Sequence, residues 1–182
     1  MLRPLKKNLK GVLKMFEKIL FDLDGTLTNT LDSMTYSVNA TLREMGLSEI
    51  TKEQCKSFVG NGARVLIEKS LRISGDPDAE RLDEGMAIYG RIFDENCTYH
   101  VTPYEGICQI LSDLKKEGVK LAVLSNKPDQ QTVKVVHEIF GEDVFDYAQG
   151  QIENIKRKPE PDGIYCLLEK MNVTKEKYLY VG

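Results

Sequence analysis

The sequence predicts an α/β fold: a Rossmann-like parallel sheet core with an inserted helical-bundle cap. Short apolar runs of strand length, bounded by turn residues, stand at 19–21, 119–124, 145–148 and 178–181, and helix-period segments separate the last three. That alternation implies parallel βαβ units and a sheet covered on both faces. Between the first run and Pro103, by contrast, residues 32–102 carry helical periodicity and no strand period. The notable polar residues, finally, stand at strand ends or in the loops after them, where ligands of such sheets bind.

Taken in order, residues 1–15 mix Lys6, Lys7, Lys10 and Lys14 with leucines and lack a continuous apolar run, so they read as a leader and not as a secretory signal. A basic amphipathic helix against a membrane is the other reading of that segment. Ile19-Leu20-Phe21 is a strand buried on both faces. Asn29 or Thr30 caps a helix whose apolar face is Leu31, Met34, Val38, Leu42 and Met45, with Gly46 ending it. Thr51 or Lys52 opens a short helix to about Phe58. The loop Gly60-Asn61-Gly62-Ala63 leads into a third, with Val65, Leu66, Leu71 and Ile73 apolar. Gly75-Asp76-Pro77 turns the chain, and a fourth helix runs from about Asp78 to Asn96 with Leu82, Met86, Tyr89, Ile92 and Phe93 inward.

The core pattern resumes at Pro103. Ile107, Ile110, Leu111 and Leu114 form a helical face, and the strand from Val119 to Leu124 ends in Ser125-Asn126-Lys127-Pro128. Asp129 caps a helix carrying Val133, Val136, Ile139 and Phe140. A short strand covers 145–148, a helix with Ile164, Leu167, Leu168 and Met171 follows Lys158-Pro159-Glu160-Pro161, and Tyr178 to Val181 is the last strand. The domains are thus 1–15, a leader; 16–31 with 103–182, a discontinuous α/β core; and 32–102, a helical cap.

The chemistry concentrates in Phe21-Asp22-Leu23-Asp24-Gly25-Thr26. Alternation along a strand puts Asp22 and Asp24 on one side, and Gly25 lets the backbone turn and approach a ligand. Hydrolysis of a phosphate monoester needs a nucleophile, a proton donor for the leaving alcohol, neutralised phosphoryl charge and oriented donors. Asp22 suits the nucleophile and Asp24 the acid and base. A carboxylate beside a dianion also calls for a cation, and Mg²⁺ takes oxygen ligands such as these. Ser125 offers a hydroxyl after a buried strand, and Lys158 a cation between prolines.

Asp22-Leu23-Asp24-Gly25-Thr26-Leu27-Thr28, Leu124-Ser125-Asn126 and Lys158-Pro159-Glu160-Pro161 resemble, in order, the first three motifs of the haloacid dehalogenase superfamily of phosphohydrolases. The resemblance runs from about Phe16 to the end. Gly60-Asn61-Gly62-Ala63 and Leu124-Ser125-Asn126-Lys127-Pro128 look most like its bacterial phosphoglycolate phosphatases. It implies that Asp22 is nucleophile and Mg²⁺ ligand, that Asp24 is acid/base and ligates Mg²⁺ through its carbonyl, and that Gly25, Thr26, Ser125, Asn126 and Lys158 bind phosphate. Arg64, beside the glycine loop, is the candidate for a substrate carboxylate. The implied substrate is a small phosphorylated metabolite, foremost 2-phosphoglycolate. Another phosphatase, a pyrophosphatase or a hexose-phosphate mutase of the same superfamily, and an inactive truncated remnant that only binds anions or a partner chain, are the alternatives.

Family members carry an acidic fourth motif after Tyr-Val-Gly, where this sequence stops at Gly182, so it looks like a truncated member with an exposed sheet edge open to self-association. Net charge of −3 gives no reason to expect nucleic acid. Cys55, Cys97, Cys108 and Cys166 form no CxxC pair and read as reduced thiols of a cytoplasmic protein. Cys97 with His100 is too small a set to read as a metal site. No apolar run is long enough to span a membrane.

Overall fold

The computed structural model describes residues 16–172, 174 and 177–182; the leader expected at 1–15 lies outside them. Strand β1 (Lys18–Phe21) is central. It pairs in parallel with β4 (Lys120–Pro128) on one side and β6 (Tyr178–Val181) on the other, and β4 pairs in parallel with β5 (Tyr147–Gln151). The order is β5-β4-β1-β6. Because side chains alternate across a strand, Ile19, Phe21, Leu121 and Val123 pack on one face with Leu111, Leu114 and Val136. Leu20, Ala122 and Leu124 pack on the other with Leu167, Leu168 and Met171. The packing residues come from α5 (Ile107–Lys116), α6 (Asp129–Phe140) and α7 (Asp162–Lys170), with Met171 directly after α7. Leu20 and Leu121 are fully buried, and truncating either to Ala would cost about 2–5 kcal/mol.

Four helices lie between Asn29 and Thr102 in the chain: α1 (Leu31–Glu44), α2 (Lys52–Phe58), α3 (Ala63–Ser74) and α4 (Leu82–Asn96). They pack on one another through Val38, Leu42, Leu66, Ile67, Leu71, Tyr89 and Phe93. Thr51 begins α2 with a complete capping box to Gln54. The chain enters and leaves this bundle through β2 (Thr28–Asn29) and β3 (Thr102–Pro103), an antiparallel pair that the sequence reading did not contain. Two residues are too short to show a period, so nothing in the sequence announces them.

Other details differ from expectation. The long helix starts at Leu82, because residues 78–81 wrap around Asp76, whose carboxylate accepts the Glu80 and Arg81 N–H groups. Strand β5 starts at Tyr147 and not at 145; Phe145 instead packs edge-to-face on Phe21 and Phe140. Ile73 and Ile110, placed on inward faces, are about half exposed, at 49% and 51%. Asp129 does not cap its helix: it is the first helical residue, and its carboxylate accepts the Gly150 N–H of β5 at 2.8 Å. Thr30 stands at the N-cap of α1, but its hydroxyl donates to Asp24 and not back to the helix.

Candidate functional site

At the carboxyl ends of β1 and β4 a cavity of about 550 Å³ opens between the sheet and the helical bundle. Asp22 and Asp24 both line it, as alternation predicts. The Asp22 N–H is tied to Val181 O at 2.8 Å, which anchors the acid to the neighbouring strand β6. Its Oδ1 accepts the Leu23 N–H at 2.7 Å and lies 2.6 Å from Lys158 Nζ. Lys158 Nζ also donates to Leu124 O and to Tyr180 Oη, each at 3.0 Å.

Asp24 is held by three groups. Thr30 Oγ1 donates to its Oδ1 at 2.6 Å, Ser125 Oγ donates to its Oδ2 at 3.3 Å, and Lys127 Nζ lies 3.1 Å from Oδ1. The Lys127 contact is an ion pair without hydrogen-bond alignment, since Nζ has no geometrically formed hydrogen bond. This ammonium is buried, with its side chain 3% exposed, and stands 4.7 Å over the Phe93 ring. Two carboxylates and two ammonium groups therefore interleave across the cavity floor. Burying four charges is tolerable because each has an opposite partner.

The opposite wall comes from the bundle and is apolar: Met34, Leu66, Tyr89 and Phe93 line it, with the Gly60–Gly62 loop. Tyr89 stacks on Phe93 at 5.1 Å. Burial first, then the nearby Cys55, Asp24 and Cys97, pushes the Tyr89 hydroxyl well above its ordinary range, so it stays protonated. Burial likewise pushes the Cys55 and Cys97 thiols up, and all four cysteines are free.

The structure thus brings Asp22, Asp24, Ser125, Asn126 and Lys158 to one cavity. It does not bring three others there. Gly25 and Thr26 lie in a tight turn: Gly25, at φ +84°, donates its N–H to Thr28 O, and Thr26 donates its N–H to Leu23 O. Neither lines the cavity, and the turn occupies both N–H groups. Arg64 is exposed and pairs with Asp83 at 3.0 Å, and it does not line the cavity. Asn126 lines the cavity, but its side chain bonds backbone groups of other loops.

Three residues of the site escaped the sequence reading: Lys127 and Thr30, which touch Asp24, and Tyr180, which touches Lys158. Lys127 was legible in principle. Strand β4 continues to Pro128, so Ser125 and Lys127 share a side by the same two-residue step that unites Asp22 and Asp24. Thr30 looked like a helix cap, and Tyr180 like a core residue of a strand.

The Asp22 carboxylate and the Asp24 main-chain carbonyl are hard oxygen donors, the kind Mg²⁺ takes while keeping several waters. Among the described residues no group of three His, Cys, Asp or Glu side chains converges on a point. Those two oxygens would leave most of an octahedral Mg²⁺ shell to water.

A parallel sheet covered on both faces, with paired acids and cations at its carboxyl edge, is the frame of an α/β enzyme that works on anionic substrates. The haloacid dehalogenase-like hydrolase family matches residues 19–182, and the chain belongs to that family. A curated phosphoglycolate phosphatase of Aquifex aeolicus is 34% identical over 164 residues, covering 90% of this chain and 74% of its own length. Its counterpart in Nitrosospira multiformis is 28% identical over 166 residues, covering 90% and 73%. A solved Haemophilus somnus structure, described as a predicted phosphoglycolate phosphatase, superposes with a TM-score of 0.84 at 26% identity, over 92% of this chain and 77% of that one. Within the family the chain is a phosphatase. Among the described residues, no helix is long and apolar enough to cross a membrane.

Proposed function

We propose that this phosphatase hydrolyses 2-phosphoglycolate with Mg²⁺, through a phosphoryl group held transiently on Asp22. The observation that carries the reading is the Asp22–Lys158 pair at 2.6 Å, at a strand end and in one cavity with Asp24. Lys158 brings positive charge to the point where a phosphoryl dianion would meet a nucleophilic carboxylate. The names of the two curated relatives support the substrate.

The steps follow from the residues. The substrate phosphoryl oxygens replace the Asp22 carboxylate as partners of Lys158, which frees Asp22 to attack phosphorus. The bond from phosphorus to the leaving oxygen breaks, and Asp24, which takes up a proton before this step, delivers it to that oxygen. Asp24 then takes a proton from water, the water oxygen attacks phosphorus, and Asp22 is released with inorganic phosphate. Ser125 Oγ, 3.3 Å from Asp24 Oδ2, is near enough to serve both the acid and a phosphoryl oxygen. The Asp22 carboxylate and the Asp24 carbonyl would hold Mg²⁺, which would supply the remaining neutralisation of the phosphoryl charge. The apolar wall at Phe93, Tyr89 and Leu66 excludes water from the reacting centre. A cavity of this size suits a small ester. The free thiols fit a cytoplasmic setting.

The test is phosphate release by the purified protein from 2-phosphoglycolate, p-nitrophenyl phosphate, glucose 1-phosphate and pyrophosphate, with Mg²⁺ and with a chelator. We expect the highest kcat/KM for 2-phosphoglycolate, at least about tenfold above the others, and loss of turnover on chelation that added Mg²⁺ restores. A preference for the hexose phosphate or for pyrophosphate would reassign the substrate.

A further inference from the structure

Asn126 follows Ser125 on β4, and its amide is fully used. Its Oδ1 accepts the Lys158 N–H at 2.9 Å, and its Nδ2 donates to Lys158 O at 3.0 Å. One side chain thus grips both backbone groups of Lys158. Nδ2 also donates, at 3.2 Å, to the carbonyl of Gly60 in the loop that joins α2 to α3. A primary amide has two N–H donors and one carbonyl, so each now has a partner.

The residue beside Lys158 makes a second contact with the same loop. Arg157 Nη1 donates to Asn61 O at 2.6 Å. The guanidinium stands where a side chain at Gly62 would have to go: a Cβ there would lie 2.6 Å from Arg157 Nη1, at a backbone φ of +84°. The loop sequence Gly60-Asn61-Gly62 is therefore shaped to receive Arg157, with φ of +114° at Gly60 offering its carbonyl to Asn126.

We infer that Asn126 and Arg157 are positioning residues, a clasp through which seating of the helical cap on the core sets the position of Lys158. The cap loop touches the chain around Lys158 twice, through the neighbour that precedes it and through the amide that grips it. When the loop lifts, Arg157 loses its acceptor and the Asn126 amide loses one of its three anchors, so the Lys158 backbone loosens. The cation is then in place beside Asp22 only while the cap is seated. A phosphate ester is thus met by a complete site only after water has been excluded. The catalytic meaning rests on the reading of Lys158 as the phosphate-binding cation; the mechanical link does not.

The experiment separates the two. Amide hydrogen exchange is followed by NMR in the full chain without substrate, since the Lys158 N–H itself reports its bond to Asn126 Oδ1. Arg157→Ala removes only the donor to Asn61 and leaves the Asn126 side chain intact. We expect the Lys158 protection factor, corrected for neighbouring residues, to fall about three- to tenfold, the range for weakening one hydrogen bond. Arg157→Lys, which keeps a donor, should recover most of it. The Asp22 N–H, bonded to Val181 O in the sheet, should not change. Unchanged Lys158 protection, or an equal fall at Asp22, would overturn the link.

Turnover is the second reading. Asn126→Ala and Arg157→Ala should each lower kcat about 10- to 100-fold, the scale of a small misplacement of a reacting group, and the double variant should be no slower than Asn126→Ala. Additive losses mean two independent contacts and overturn the clasp. If exchange responds and no phosphate ester is turned over, the clasp stands and the reading of the reaction falls.

Discussion

Lys158 Nζ sits 2.6 Å from Asp22 Oδ1, although one residue ends the first strand and the other follows the fifth. Before substrate arrives, each is the other's counter-charge. On the proposed mechanism, the pair lets the attacking carboxylate wait, partly buried, beside the cation that later holds its target. Asp22 Oδ1 also accepts the Leu23 N–H, a partner that does not depend on Lys158.

Asp22→Asn removes the nucleophile while keeping its shape. Turnover should fall by about three or more powers of ten, as for other nucleophile replacements. Steady-state phosphate release checks it, and more than about one per cent of wild-type rate would mean that the attacking group lies elsewhere. Binding of beryllofluoride to the native protein, but not to the variant, should follow the same pattern.

Asp24→Ala removes the proton donor, so its effect should depend on the leaving group. An alkyl phosphate such as 2-phosphoglycolate should lose about 10²–10⁴-fold. p-Nitrophenyl phosphate, whose leaving phenolate needs little help, should lose clearly less in its first step. Burst measurements with both esters separate that step from hydrolysis on Asp22. Equal losses in the first step would remove Asp24 from the acid role.

Arg64→Ala should do almost nothing to catalysis. Arg64 is 56% and Asp83 89% exposed in their side chains, and a pair so placed is screened by water. KM for 2-phosphoglycolate should change by less than about twofold. A large rise would show that the bundle rearranges to bring Arg64 inward when substrate binds.

Asp146 should contribute acid-sensitive stability. Burial pushes its carboxyl up, but the Lys120 ammonium at 2.7 Å, the Leu121 N–H and Lys115 together outweigh that and hold it below its ordinary 3.8. The unfolded chain therefore binds more protons at this group, and the stabilisation is fully present above the ordinary value. It is lost as pH falls through 3.8 and then through the lower folded value. Asp146→Asn should be less stable than wild type at pH 6, with the difference shrinking below about pH 4. Urea titrations of both proteins across that range check it.

Much of the architecture is written in local patterns. Ile19 to Phe21 and Val119 to Leu124 are legible as buried strands, because a strand covered on both faces must be apolar at every position. Thr51 and Gln54 announce the start of α2 through a capping box that needs only neighbouring residues. Asp22 and Asp24 fall on one side of the chain because of a two-residue period. These are properties of short stretches, and the chain carries them without its fold.

What only the tertiary structure decides is where each polar side chain spends its hydrogen bonds. Thr30 reads as a helix cap, yet its hydroxyl goes to Asp24 across the turn. Asn126 reads as a phosphate ligand, yet its amide braces Lys158 and the cap loop. Gly25 and Thr26 read as phosphate donors, yet the turn that presents Asp24 uses both N–H groups. Arg64 follows a loop that reaches the cavity, but the turn of helix that begins there points it outward to Asp83. In each case the residue type permits several partners of similar strength, and distance selects among them. The distance is set by how β1, β4 and the helical bundle pack, which no local window of sequence contains.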